Sequence, residues 1–213
     1  MAKPKLNWLN PAVVTGSLVP FAWIAWRIYQ HKLGANPVAA ALNQLGLLGL
    51  VLLSASLSCT PLKIIFDWNW PLRVRRTLGL CAFFTVLLHF LVYLVIDQGF
   101  AIGAVLRDVL KRPFIALGFS ALLLLVPLAL TSTKRSVARL GFVRWQRLHR
   151  LAYPIGVLAV LHFYLRVKAD HSKPLLYGLV LSLGFVLRIV AKTKKSRDAR
   201  LRAQLRAARS EPA

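Results

Sequence analysis

Three histidines, His89, His149 and His162, sit in or at the ends of apolar stretches almost free of charge. His89 lies in TVLLHFLVYLV, and His149 and His162 bracket one stretch, LHRLAYPIGVLAVLHFYL. An imidazole in hydrocarbon is costly, so a histidine at membrane depth points first to function. Imidazole is also a common axial ligand of haem iron, and two at one depth on different helices would grip a haem from both faces. Iron held that way has no open position, which favours electron transfer over oxygen activation. The bland reading of each histidine is a polar side chain hydrogen-bonded between helices. That reading weakens for a pair matched in depth. His31 and His171 fall in expected loops and read as solvated surface.

The elements that must carry these residues are membrane spans. The chain has 213 residues, of which 57% are hydrophobic and only 16% charged, against roughly 25% charged in soluble domains. Six stretches approach the length of about 20 apolar residues that a crossing needs: 11–29, 40–60, 77–97, 113–133, 149–166 and 174–190. The expected fold is an all-α integral membrane protein, a six-helix bundle over residues 11–191. A short segment, 1–10, precedes the bundle, and a basic tail, 192–213, follows it. The first stretch lacks a small-residue cleavage site and reads as a retained span. Arg188 interrupts the sixth, where an arginine near a helix end is expected to snorkel outward. The tail reads as a helix on the membrane surface or as disorder.

The formal charge of +23 raises nucleic acid as a partner, but most Lys and Arg fall between or after apolar spans. They read as topology signals and lipid-headgroup contacts instead. Roughly three quarters of the 29 fall on the side that holds the termini, which predicts both termini in the cytoplasm. Trp8, Trp23, Trp26, Tyr29 and Trp145 lie near span ends, as an interfacial aromatic belt would. Cys59 and Cys81 form no CxxC pair or zinc spacing and read as apolar filler. No Walker loop, GxGxxG or hydrolase arrangement is present, and the spans lack the carboxylate chains of proton-coupled carriers.

Helical rise sets the depth of each histidine. His89 lies 12 residues beyond Thr77 and His162 lies 13 beyond His149. At 1.5 Å per residue these are depths of about 18 and 20 Å from the same side. The two helices run in the same direction, so His89 and His162 are expected to pair. His149 lies at the cytoplasmic edge, level with Arg75 and Arg76 and with no histidine opposite. Two roles stay open for it: ligand of a second haem, or contact to a propionate, a quinone or a flavin. Arg75, Arg76, Arg147 and Arg150 suit such anionic groups, and Arg166, Lys168 and Arg107 suit propionates at the other end. About 140° separates His149 from His162 on an ideal helix, with Pro154 between them able to kink it.

The stretches LVPFAWIAW (18–26), RRTLGL (75–80), LLHFLVY (87–93), KRPFIALG (111–118), WQRLHRLAY (145–153) and LHFYLRVK (161–168), in that order, resemble the MsrQ (YedZ) family. That family lies within the ferric-reductase-like transmembrane group. The resemblance implies a haem b protein of the bacterial inner membrane. It would relay electrons to a periplasmic molybdopterin subunit that reduces methionine sulfoxide in oxidised proteins. The family's haem-ligand histidines match His89, His149 and His162. Its proposed donors are the quinone pool and a bound FMN fed by a cytosolic flavin reductase, although no FMN motif is recognisable here. Related ferric reductases carry two histidines on each of two helices, whereas the third span here has only His89. One haem is therefore expected, and a second stays open. The rival readings are another cytochrome b-type anchor or metal reductase, and a cofactor-free transporter or structural subunit.

Overall fold

The structure is a computed structural model and describes residues 8–210. Lys3 and Lys5, which enter the charge count, lie outside the described residues, as does Glu211. The chain folds into α1 (Leu9–Tyr29), α2 (Pro37–Phe66) and α3 (Trp70–Leu91), which continues as a π-helical turn through Val92–Asp97. Then come α4 (Ile102–Lys111), α5 (Pro113–Leu130), α6 (Lys134–Leu140), α7 (Phe142–His149), α8 (Ala152–Arg166) and α9 (Ser172–Ser210).

Among the described residues, six helical stretches are long and apolar enough to cross a bilayer: Leu9–Tyr29, Pro37–Phe66, Trp70–Asp97, Pro113–Leu130, Phe142–Arg166 and Ser172–Leu205. The protein is a multi-pass, all-helical membrane protein, as expected. An even number of crossings returns the chain to its starting side. That side is called the terminal end below, and the opposite side the far end. Prolines open several helices, where their missing N–H is an orphan anyway. Pro37 follows the cap Asn36, whose side chain accepts from the Ala39 amide at 2.9 Å, and Pro71 and Pro113 open α3 and α5.

Lipid is as apolar as leucine, so packing rather than burial holds such helices together. The centre of the bundle follows that rule. Ala82 and Ile155 are wholly enclosed, with Leu53, Leu57, Leu125 and Leu181 around them. Small residues bring backbones together: a Cβ at Gly49 would lie 2.7 Å from Val86, and one at Gly156 would lie 3.2 Å from Leu57. Helix α2 is central, packed on α3 and α9, while α5 pairs with α8 and α1 lies outermost against α3.

Three sequence expectations are corrected. Arg188 does not snorkel. Its guanidinium turns inward, donating to the Tyr153 hydroxyl at 2.8 Å and to the Leu57 carbonyl. Pro61 gives the reason. Four residues after Leu57, it has no amide with which to satisfy that carbonyl, and a bare carbonyl in hydrocarbon costs several kcal/mol. The fifth span is not one helix from 149 to 166, because it breaks at Arg150–Leu151, just before Pro154. As far as Ser210, the tail continues straight from the sixth span without a bend or loss of helicity: α9 is one unbroken 39-residue helix.

Replacing Arg188 with leucine should destabilise the protein by about 1–3 kcal/mol, the usual effect of orphaning a buried acceptor. The loss should shrink in a Pro61→Ala background, where residue 61 regains an amide for Leu57. Heat-induced unfolding in detergent, across the double-mutant cycle, measures both.

Candidate functional site

The far half of the bundle holds a cavity of about 570 Å³, within the range of roughly 300–1,000 Å³ typical of cofactor and ligand sites. His89 enters it from α3, one turn before the π-helical stretch, and His162 enters from α8. The two rings lie 6.3 Å apart between centroids, with their planes at 84°.

Each ring is aimed by the same device. His89 Nδ1 lies 2.9 Å from the Leu42 carbonyl on α2, and His162 Nδ1 lies 2.6 Å from the Phe114 carbonyl on α5. A carbonyl only accepts, so both Nδ1 atoms carry the proton and both Nε2 atoms keep a free lone pair. Four residues after each carbonyl stands a glycine, Gly46 and Gly118. A helical Cβ leans toward the N-terminus and would cover the preceding turn. Its absence opens the carbonyl to the imidazole. A Cβ at Gly46 would lie 3.2 Å from the His89 ring, and one at Gly118 only 2.7 Å from His162 Nδ1.

The separation can be tested against the chemistry. With metal–imidazole bonds of about 2.0–2.1 Å, and a nitrogen about 1.2 Å from its ring centre, two imidazoles on opposite sides of one metal put their centroids about 6.4–6.6 Å apart. The rings, at 6.3 Å, stand within a few tenths of an ångström of that separation. Among the described residues no three His, Cys, Asp or Glu side chains converge on a metal position. A metal on this pair would have to bring its own remaining donors, as iron in a macrocycle does.

The rim at the far end is charged. Arg112, Arg166 and Lys173 line it, with Asp97 and Asp170 between them. Asp108 is clasped from two sides, accepting from the Tyr93 hydroxyl at 2.8 Å and pairing with Arg112 Nε at 3.2 Å. Asp170 accepts from the Ser172 amide at 2.9 Å, and its bonds to Ser172, with Lys173 nearby, hold its carboxyl below the usual range. It therefore stays ionised at the rim at neutral pH. Of the far-end cations singled out in the sequence, Arg166 reaches the cavity, whereas Lys168 and Arg107 do not line it.

The other predicted residues sit at the terminal end. His149 closes α7 and does not line the cavity. Its Nε2 is 3.1 Å from the Thr131 hydroxyl, whose own proton goes to the Pro127 carbonyl at 2.6 Å. His149 therefore donates through Nε2, the opposite tautomer to the pair. Trp145 stacks on it with ring centroids 4.1 Å apart and donates to the Thr131 carbonyl at 2.9 Å. Arg75 lies within electrostatic reach of both His149 and Arg188. Arg76, Arg147 and Arg150 are exposed. The sequence reading missed Gly46, Gly118, Arg112, Lys173, Tyr93 and Asp108. Only the glycines left a signal, a small residue one turn after the carbonyl that each histidine meets.

A family model described as the ferric reductase like transmembrane component matches residues 42–160, which include His89 and stop just short of His162. Among curated proteins, the chain is 48% identical over 197 residues to a protein-methionine-sulfoxide reductase heme-binding subunit MsrQ of Deinococcus radiodurans, covering 92% of this chain and 97% of that one. It is 48% identical over 189 residues to the MsrQ subunit of Rhodospirillum rubrum, covering 89% and 91%. With that of Caulobacter vibrioides it is 50% identical over 161 residues, covering 76% and 77%. No solved structure gives a significant match. Six apolar crossings, a far-half cavity with two facing imidazoles, and this likeness along nearly the whole chain place the protein in the MsrQ family, within the ferric-reductase-like membrane proteins.

Proposed function

We propose that this protein is the haem b subunit of a methionine sulfoxide reductase system, carrying electrons across the bacterial inner membrane to a periplasmic molybdopterin partner. The name of its relatives supports the assignment, and the observation that carries it is the facing pair His89 and His162. Their Nε2 lone pairs would hold the haem iron, and the Leu42 and Phe114 carbonyls would keep the rings in place, as outer partners of metal-bound histidines do. Arg112, Arg166 and Lys173 are the proposed partners of the propionates, with Asp108 fixing the Arg112 guanidinium. When bound, such a haem would supply one-electron ferric–ferrous chemistry.

The charge bias supports a terminal end in the cytoplasm. Electrons then enter there, from the quinone pool or from FMN reduced by a cytosolic flavin reductase. Arg76, Arg147 and Arg150 present an exposed cationic surface for that anionic donor, with the half-buried Arg75, His149 and Trp145 beside it. In this reading, substrate chemistry belongs to the partner.

Changing His89 or His162 to alanine should abolish stable haem, read as absorption of the purified protein against its protein content. A variant that keeps full haem would sink the assignment. Gly118→Ala should lose more haem than Gly46→Ala, since its Cβ strikes the His162 ring harder. His149→Ala should leave that haem in place. A fall from two haems per chain to one would instead make His149 a ligand of its own haem.

Near-perpendicular axial rings should also leave a spectroscopic mark. The oxidised protein should give a strongly anisotropic low-spin ferric resonance by electron paramagnetic resonance, and a conventional rhombic set would contradict the 84° arrangement.

A further inference from the structure

Helix α4 is too short to cross a bilayer: its ten residues span about 15 Å. It is strung between two spanning helices. Gln98–Ala101 tie it to the end of the third span, and Arg112 alone separates it from α5. Those links hold it at the far surface of the bundle.

Its residues divide into three faces. Val105 is buried, Val109 lines the cavity and Asp108 is bound by Tyr93 and Arg112, so this face is the bundle contact. Ile102, Leu106 and Leu110 form a second, exposed face at 58%, 59% and 78% of their surface. At about 100° per residue this ridge lies about 60–140° around the helix from Val105. Arg107 and Lys111 fall about 200–240° around, on a third face, and both are exposed. Just before the helix, Phe100 holds a left-handed φ of 65° with 62% of its surface exposed. Strain of that kind is tolerated only where something holds the residue.

A helix lying on a bilayer beside a bundle needs this arrangement: one flank on protein, the next in the acyl chains, the third toward water with cations on it. A soluble partner arriving from the water would meet Arg107 and Lys111, not the ridge. We propose that α4 is seated in lipid, with Ile102, Leu106 and Leu110 in the acyl-chain boundary and Arg107 and Lys111 at the aqueous edge. Phe100 enters the same boundary. The Asp108 clasp thereby fixes the mouth of the histidine cavity at the depth of the lipid headgroups. The proposal holds whatever the cavity contains.

The test is nitroxide accessibility in the full-length protein, reconstituted into vesicles of phosphatidylethanolamine and phosphatidylglycerol. Single cysteines replace Leu106, Leu110 or Arg107 in a Cys59→Ala, Cys81→Ala background. Dissolved oxygen should relax the labels at Leu106→Cys and Leu110→Cys strongly and a water-soluble nickel chelate weakly, with the reverse at Arg107→Cys. The two ridge positions report one face, so either suffices if the other variant inserts poorly. A chelate that reaches the ridge as freely as position 107 overturns the proposal. So does a ridge from which both probes are excluded in lipid, because a protein contact would then cover it.

Discussion

A backbone carbonyl inside a bilayer has no water to turn to, and this bundle uses its exposed carbonyls as aiming points. Leu42 and Phe114 each present an oxygen beneath a glycine gap, and each receives an imidazole proton. The bond does two things at once. It satisfies a polar side chain that lipid would otherwise penalise, and it leaves the Nε2 lone pair free on each of two rings that line the cavity. The separation of the rings follows from where α2 and α5 place those two oxygens. At Leu57 the same constraint acts through a different donor: a proline removes the amide, and Arg188 supplies the hydrogen bond.

Much of this was legible in the sequence. The span count follows from composition, and the depth match of His89 with His162 follows from helical rise alone. The acceptors were not legible, because they depend on which helices become neighbours. A glycine in a membrane helix is too common to single out. Arg188 was misread since its acceptor, the Leu57 carbonyl left open by Pro61, stands 131 positions earlier, and nothing local links the two. Helix α4 was hidden inside an expected loop by its brevity and by Gly99 and Gly103. The break before α8 was half visible: Pro154 signalled a bend but not a separate helix.

The bundle is polar in two places and for different ends. At the far end, ion pairs and hydrogen bonds gather around an enclosed space. At the terminal end, His149 sits under an indole with its proton committed to Thr131, beside arginines that face outward. The turn at Arg150–Leu151 separates the two regions along the chain. The geometry of one can change without re-registering the other, because no continuous helix joins His149 to His162.

Helix α9 works in the opposite sense. It runs without a break from Ser172 to Ser210, and the Arg188 clasp to α2 and α8 lies partway along it. Its basic outer third is thus the free arm of a stiff rod whose fulcrum is inside the membrane. A binding partner that took hold of that arm would exert torque on α2 directly, with no flexible joint to absorb it.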